Sequence, residues 1–582
     1  MCLALLVRLP GLGRTFWLDE YATAWIAQGP WSEVTPRAAL NNQPPLYFAF
    51  TWCAARWIGF HESGLRLVSL LAGVALVPAT WWLSRQLGVT TAGAMLAATL
   101  VAIDRHCIGM SLEVRPYACV QLLAALQVGL FCALVRNTAA STGPGSEPVR
   151  ARSERPLAWA WLGFICASAL LLYLHLLAGL IAIPETAWVL LLAIRTPTRQ
   201  PVRALLPWVG AALAIGLLAS PLVATFREVH AHRAMLASWM EPPTLLNWLS
   251  TAYALPLVVV SSLLGLGLRE LNPAAKIARP DASEATSPPP GTLTGSAPVP
   301  PPQPATQASS STSVNLTSPA ADLTTDQPPT QEPWLPSHPV ARRLRSASAF
   351  IRSTPNESRA TAWFLLIWIF LPLLATWALS RWGVMKVTST RYLVTMWIAP
   401  LLWVAERATR TTTGREFWFR VVASVVLILI PGLLRGLHYQ PNEVWLKHPR
   451  LVALANSPEL QKFPVLYATQ LVEAQQLETD TRPQFREYLL SPITTLHPLS
   501  PGRILVPIPD RTWGVGGTTP HRAVALATGP IRAAGGCVWF GEPLAPAELA
   551  ELWRHPGEPP IQVEVDRLAD RLSRCRITQP AR

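Results

Sequence analysis

Long uncharged runs, several of them closed by arginine, set the pattern of this chain. Residues 67–84 end at Arg85, 86–103 end at Asp104-Arg105-His106, and 116–135 end at Arg136. A hydrocarbon core of about 30 Å takes roughly 20 helical residues, so these runs predict three membrane spans. The alternation continues over 157–174, on from His175 to 194, then 205–226, 242–268, 362–380, 392–405 and 417–437. Residues 1–13 are apolar apart from Arg8 but too short to cross, so either the start lies upstream or the first span is incomplete. A cleaved signal peptide fits less well, because no basic segment precedes the apolar residues. The count is about eleven spans, including the deficient first one.

Residues 41–60 are aromatic, short and carry Arg56, which predicts a helix lying in the membrane interface. Sidedness follows from that choice. If 41–60 stay on the side of Asp19, then Arg85, Arg136 and the basic loop 195–203 are cytoplasmic, as the positive-inside rule asks. If they span, Arg136, Arg150, Arg152 and Arg155 fall outside, against the rule.

Two other segments break the pattern. Residues 272–342 are rich in Pro, Ser, Thr and Ala, bury too little apolar surface to offset ordering entropy, and are predicted to be a disordered cytoplasmic linker. On that side the Asn315-Leu-Thr sequon carries no weight. From His438 the composition is that of a soluble domain: 464–467, 503–506 and 537–540 read as short buried strands and 545–553 as a helix. The expected architecture is an all-α polytopic membrane protein with a small extracytoplasmic α/β domain. Its parts are a membrane module over 1–271 with a first loop at 13–64, the linker, spans within 359–437, and the soluble domain 438–582.

Composition agrees, with 51% hydrophobic and 14% charged residues and 25 Trp in 582 residues. A net charge of +14 would suit nucleic acid, but many of the Lys and Arg residues fall in short loops between apolar runs, which excludes that class. Six of the 8 cysteines lie in or beside apolar segments; Cys537 and Cys575 are free to pair if their domain is extracytoplasmic and brings them close. Glu185 lies inside a span, where an acid is a functional candidate. The loop after residue 226 adds His230, His232 and Glu241.

The topology gathers Asp19, Glu20, Glu113, Arg115, His175 and Arg391 on one face. Alone, Asp19-Glu20 would read as a solvated loop whose Phe16, Trp17, Tyr21 and Trp25 anchor a helix end. Convergence with two arginines is what points to chemistry at a water-accessible interface.

The motifs Phe16-Trp-Leu-Asp-Glu-Tyr21, Gln43-Pro-Pro-Leu-Tyr47, Leu65-Arg-Leu-Val-Ser69, Ser111-Leu-Glu-Val-Arg-Pro-Tyr117 and Leu172-Tyr-Leu-His175 occur in order over residues 1–230. Together with the weaker Thr388-Ser-Thr-Arg-Tyr-Leu393, the chain resembles the dolichyl-phosphate-mannose protein mannosyltransferase and aminoarabinose transferase-like glycosyltransferases of the GT-C fold class. The resemblance implies an inverting enzyme of the cytoplasmic (inner) membrane, active on its extracytoplasmic face. Such an enzyme passes a sugar from a polyprenyl-phosphate donor to a protein, lipid or glycan acceptor. It implies that Asp19 is the general base, with Glu20 beside it, and that Glu113 organises acceptor, donor or metal. A carboxylate must take the proton of the attacking hydroxyl, and fork-shaped guanidinium groups suit the departing phosphate, which makes Arg115 and Arg391 candidates. Tyr117, His175 and Tyr392 are substrate-binding candidates, His175 doubling as a span cap. No Asp-x-Asp pair stands in the chain to make a metal site compelling, so no cofactor is established and a divalent metal stays open. The competing classes are a lipid or small-solute transporter, for which paired repeats would be expected, and a membrane scaffold or sensor built on the C-terminal domain.

Overall fold

Only a helix satisfies its own backbone groups within one segment in hydrocarbon, so the apolar runs fold as helices. A computed structural model describes residues 1–140, 155–195, 201–231, 244–251, 255–262, 357–383, 390–410, 414–438, 443–510, 521–554 and 561–578. The linker 272–342, the loop 232–243 with His232 and Glu241, and part of the expected span 242–268 lie outside these residues.

In chain order the membrane half begins with α1 (Cys2–Leu6), α2 (Leu18–Gln28), α3 (Trp31–Leu40), α4 (Leu46–Trp57), α5 (Glu62–Gln86), α6 (Thr91–Ile103), α7 (Arg105–Ser111) and α8 (Tyr117–Ala140). It continues with α9 (Arg155–Leu174), α10 (Ala182–Arg195), α11 (Pro201–Ala219) and α12 (Val223–Ala231). Helices Glu357–Arg381, Ile398–Thr409 and Arg415–Arg435 follow. Among the described residues seven helices are long and apolar enough to cross a membrane, eight if the bent pair α6 and α7 is one span. The expected eleven are not all found among the described residues. The first segment is only α1 and a 3-10 turn at Leu9–Gly11, and Ile398–Thr409, at about 1.5 Å per residue, is about 18 Å long. Helix α4 is equally short.

Local chemistry fixes the bends that matter for the site. Asp104 leaves helical geometry and accepts a hydrogen bond from Cys107 N (2.8 Å), so it ends α6 and caps α7, a turn of 59°. His61 caps α5 by accepting from Gly64 N at 3.1 Å. Helices α5 and α8 approach closely because Gly129 faces the Trp82 ring, where a Cβ would sit 2.0 Å from a ring carbon. The loop from Leu112 to Pro116, which carries Glu113 and Arg115, is thereby held between α7 and α8.

The C-terminal half is a five-stranded sheet, β1 (Val465–Thr469), β2 (Leu505–Pro509), β3 (Gly536–Phe540), β4 (Gln562–Ala569) and β5 (Leu572–Thr578), in the order β2-β1-β3-β5-β4. Strand β1 is parallel to β2 and β3, while β5 is antiparallel to both β3 and β4. Three strands and helix Pro546–Leu552 fall where the sequence places them; the β4–β5 hairpin is an addition. Cys537 and Cys575 are register partners, yet both thiols are free. The neighbouring bond from Ile577 N to Gly535 O (3.0 Å) makes theirs a hydrogen-bonded pair of the ladder.

This domain packs onto the first loop through aromatic rings. Tyr21 lies 5.2 Å from His448, and Trp25 lies 5.7 Å from Tyr488. Tyr488 donates to Asn41 Oδ1 at 3.1 Å, and His497 meets Glu62 at 3.2 Å.

Candidate active site

The site grows from the first turn of α2. Trp17 is extended and its N–H donates to Glu20 Oε2 at 3.2 Å, closing the N-terminus with the third-position carboxylate. Asp19 and Glu20 both suit the positive end of the helix dipole. Adjacent helical residues diverge by about 100° around the axis, so the two carboxylates point different ways.

Glu20 turns inward and is buried. Its Oε1 accepts from Arg66 Nε (3.1 Å) and from Val114 N (2.9 Å), while Oε2 accepts from Arg66 Nη2 (2.9 Å). Arg66, itself buried, also donates to the carbonyls of Leu12 (2.8 Å) and Arg14, and its guanidinium lies over the Phe16 ring at 4.8 Å. One carboxylate therefore ties α2, α5 and the loop before α8 together.

Asp19 faces the other way and keeps 28% of its side chain exposed. Its Oδ2 stands 3.4 Å from Arg391 Nη1 and 3.9 Å from Arg115 Nη2. Arg391 comes from the 3-10 turn Thr390–Met396 and lies 4.2 Å over the Trp17 ring. Arg115 is 5% exposed, and its Nε and Nη1 have no hydrogen-bond partner among the described residues. Buried guanidinium N–H groups left bare are costly, and they mark a place for an acceptor group from a ligand or water.

Glu113 adds a second buried carboxyl, with Oε2 unpartnered among the described residues. Burial pushes its pKa up to about 7; Arg391 and Arg115 pull it down, and Glu20 and Asp19 push it up. His175 sits at the break after α9, with its ring 6.1 Å from both Tyr117 and Tyr392. Burial, then the Arg115 charge, lowers its pKa to about 4, so the imidazole is neutral at pH 7. Glu185 makes a different cluster: it accepts from Gln127 Nε2 at 3.0 Å, and Gln127 also donates to Ser168 at 3.1 Å.

Asp19, Arg115 and Arg391 thus meet at one carboxylate oxygen, with Glu113 in their field and His175 between the two tyrosines. Sequence reasoning missed Arg66 as the partner of Glu20, although a charge so early in an apolar run was a signal. It also missed Glu473 and Tyr488 of the C-terminal domain, for which no motif exists. No group of three or more His, Cys, Asp or Glu side chains able to hold a metal stands together among the described residues. The carboxylate here is flanked by guanidinium cations, an environment that disfavours a second cation, so the residues do not fit the divalent metal left open above.

No family model matches the sequence, and no curated protein matches it. Solved structures similar to this chain include ArnT from Cupriavidus metallidurans bound to undecaprenyl phosphate, with a TM-score of 0.40 and 12% identity over 84% of this chain and 74% of that one. Another is the archaeal oligosaccharyltransferase AglB from Archaeoglobus fulgidus in complex with an inhibitory peptide and a dolichol-phosphate. It has a TM-score of 0.39 and 12% identity over 84% of this chain and 63% of that one.

Proposed function

We propose that this protein is a multi-pass membrane glycosyltransferase of the GT-C type, moving a sugar from a polyprenyl-phosphate donor to an extracytoplasmic acceptor with inversion. The observation that carries the reading is a half-open carboxylate facing two arginines, one of them buried with two bare N–H groups. A phosphate would satisfy those donors, which have no partner among the described residues.

In this reading Asp19 takes the proton of an acceptor hydroxyl while the hydroxyl oxygen attacks the anomeric carbon. The carbon–oxygen bond to phosphate breaks, and the polyprenyl phosphate leaves with the electron pair. Arg115 and Arg391 meet its charge, Arg391 steadied on Trp17. Glu113, near half-protonated at neutral pH, both donates to and accepts from substrate hydroxyls. Tyr117, neutral His175 and Tyr392 wall the donor side. Glu20 shifts from catalysis to positioning, because both of its oxygens are taken.

The test is transfer from radiolabelled polyprenyl-phosphate hexoses and pentoses by purified protein and its Asp19→Asn variant. A folded Asp19→Asn protein that transfers sugar at the normal rate would sink the assignment of the base.

A further inference from the structure

The motifs Gln43-Pro-Pro-Leu-Tyr47 and Leu65-Arg-Leu-Val-Ser69 end on two hydroxyls that meet between α4 and α5, with Tyr47 Oη 2.8 Å from Ser69 Oγ. Ser69 Oγ donates in turn to the main-chain carbonyl of Arg115 at 3.1 Å. A serine hydroxyl has one proton, so with that proton on the Arg115 carbonyl the Tyr47 hydroxyl is the donor of the first bond. The relay has one direction: Tyr47 to Ser69 to Arg115. Tyr47 and Ser69 are fully buried, so water does not compete for either bond.

Helix α5 presents a whole stripe to this loop. Arg66, Ser69 and Gly73 stand at i, i+3 and i+7, on one helical face. Arg66 holds Glu20, whose Oε1 accepts from Val114 N at 2.9 Å. Ser69 holds the next residue by its carbonyl. Gly73 lets the end of α7 come close, since a Cβ there would stand 2.2 Å from Ser111 Cβ. The main chain is thus gripped at two consecutive residues, 114 by its N–H and 115 by its carbonyl. Pro116 has no N–H and disfavours helical geometry at Arg115, so α8 does not extend back to hold this peptide. From the gripped residue the Arg115 guanidinium reaches to 3.9 Å from Asp19.

We propose that Tyr47 and Ser69 are positioning residues: their relay fixes the main chain of Arg115 and, through it, the place at which the guanidinium meets a phosphate. The fixed main chain rests on the contacts alone, and the phosphate rests on the transferase reading.

Two measurements on the full-length protein in lipid nanodiscs test it. Amide hydrogen exchange, read by mass spectrometry, should speed up about fivefold or more over 111–118 in Ser69→Ala and in the shape-preserving Tyr47→Phe, with α9 unchanged. Thr80→Val removes another buried hydroxyl of α5, bonded to the Leu76 carbonyl at 2.8 Å, and should leave 111–118 unchanged. Binding of undecaprenyl phosphate should weaken about three- to tenfold in each relay variant. In an Arg115→Lys background the same substitutions should cost less than about a further twofold, because they act through the guanidinium that is already gone. A merely structural role would give additive losses. Unchanged exchange over 111–118 in both relay variants, the same speeding in Thr80→Val, or additive losses each overturns the inference. A wild-type protein that binds no undecaprenyl phosphate sinks the transferase reading, whereas faster exchange confined to 111–118 still upholds the relay.

Discussion

The two sides of the first turn of α2 carry the same chemical group to opposite ends. On the inner side, the Glu20 carboxylate is saturated by Arg66, Trp17 N and Val114 N. On the outer side, among the described residues Asp19 meets two arginines at 3.4 and 3.9 Å and remains partly open. A carboxylate whose lone pairs are all engaged cannot take a proton from a substrate without breaking the fold. One that is underused can. In the proposed reading, rotation by one residue around the helix separates a structural acid from a chemical one.

That contrast can be broken in order of effect. Asp19→Asn should lower sugar transfer by about 10²–10⁴-fold while leaving thermal unfolding unchanged, since loss of a general base costs that range. Glu20→Ala should do the reverse first. It strands the buried Arg66 charge, so it should destabilise the fold by about 3–5 kcal/mol in chemical denaturation, with any activity loss following the loss of folded protein. Equal stability of the two variants would erase the distinction.

The pH dependence is sharper still. Glu113 and Glu473 each have a pKa raised from 4.5 to about 7 by burial. Below pH 4.5 both forms of the chain are protonated and neither group costs anything. Between 4.5 and 7 the unfolded chain releases these protons and the folded one retains them. Stability should therefore fall by about 3 kcal/mol per group as pH rises through that window, then level off. Glu113→Gln should remove about half of the fall, measured as unfolding midpoint against pH.

Arg115→Lys supplies a point charge where a fork is needed, and should raise the donor KM by about 10–100-fold. Trp17→Leu removes only the ring under Arg391, worth about 0.5–1 kcal/mol, and should raise donor KM by about two- to fivefold.

Much of this was legible in the chain. Uncharged runs bounded by arginine located the helices; the expected topology gathered Asp19, Glu20, Glu113, Arg115, His175 and Arg391 on one face, and the fold brings Asp19 to Arg115 and Arg391. Boundaries failed where apolarity and length part company: Ile398–Thr409 is apolar and buried in the helical core, yet too short to cross. The β4–β5 hairpin was missed because its strands carry Glu564, Asp566, Arg574 and Arg576, whose side chains pair with one another across the strands.

By itself, then, the sequence determined the helical membrane bundle, the C-terminal α/β domain and the residue types of the site, because hydrophobic length and charge placement are local properties. Tertiary structure alone decided that Glu20 belongs to Arg66, that two N–H groups of Arg115 stay without a partner among the described residues, and that Glu473 reaches the first loop. Those outcomes depend on contacts between residues 46 to 431 positions apart, and no local pattern encodes which partner a carboxylate will meet.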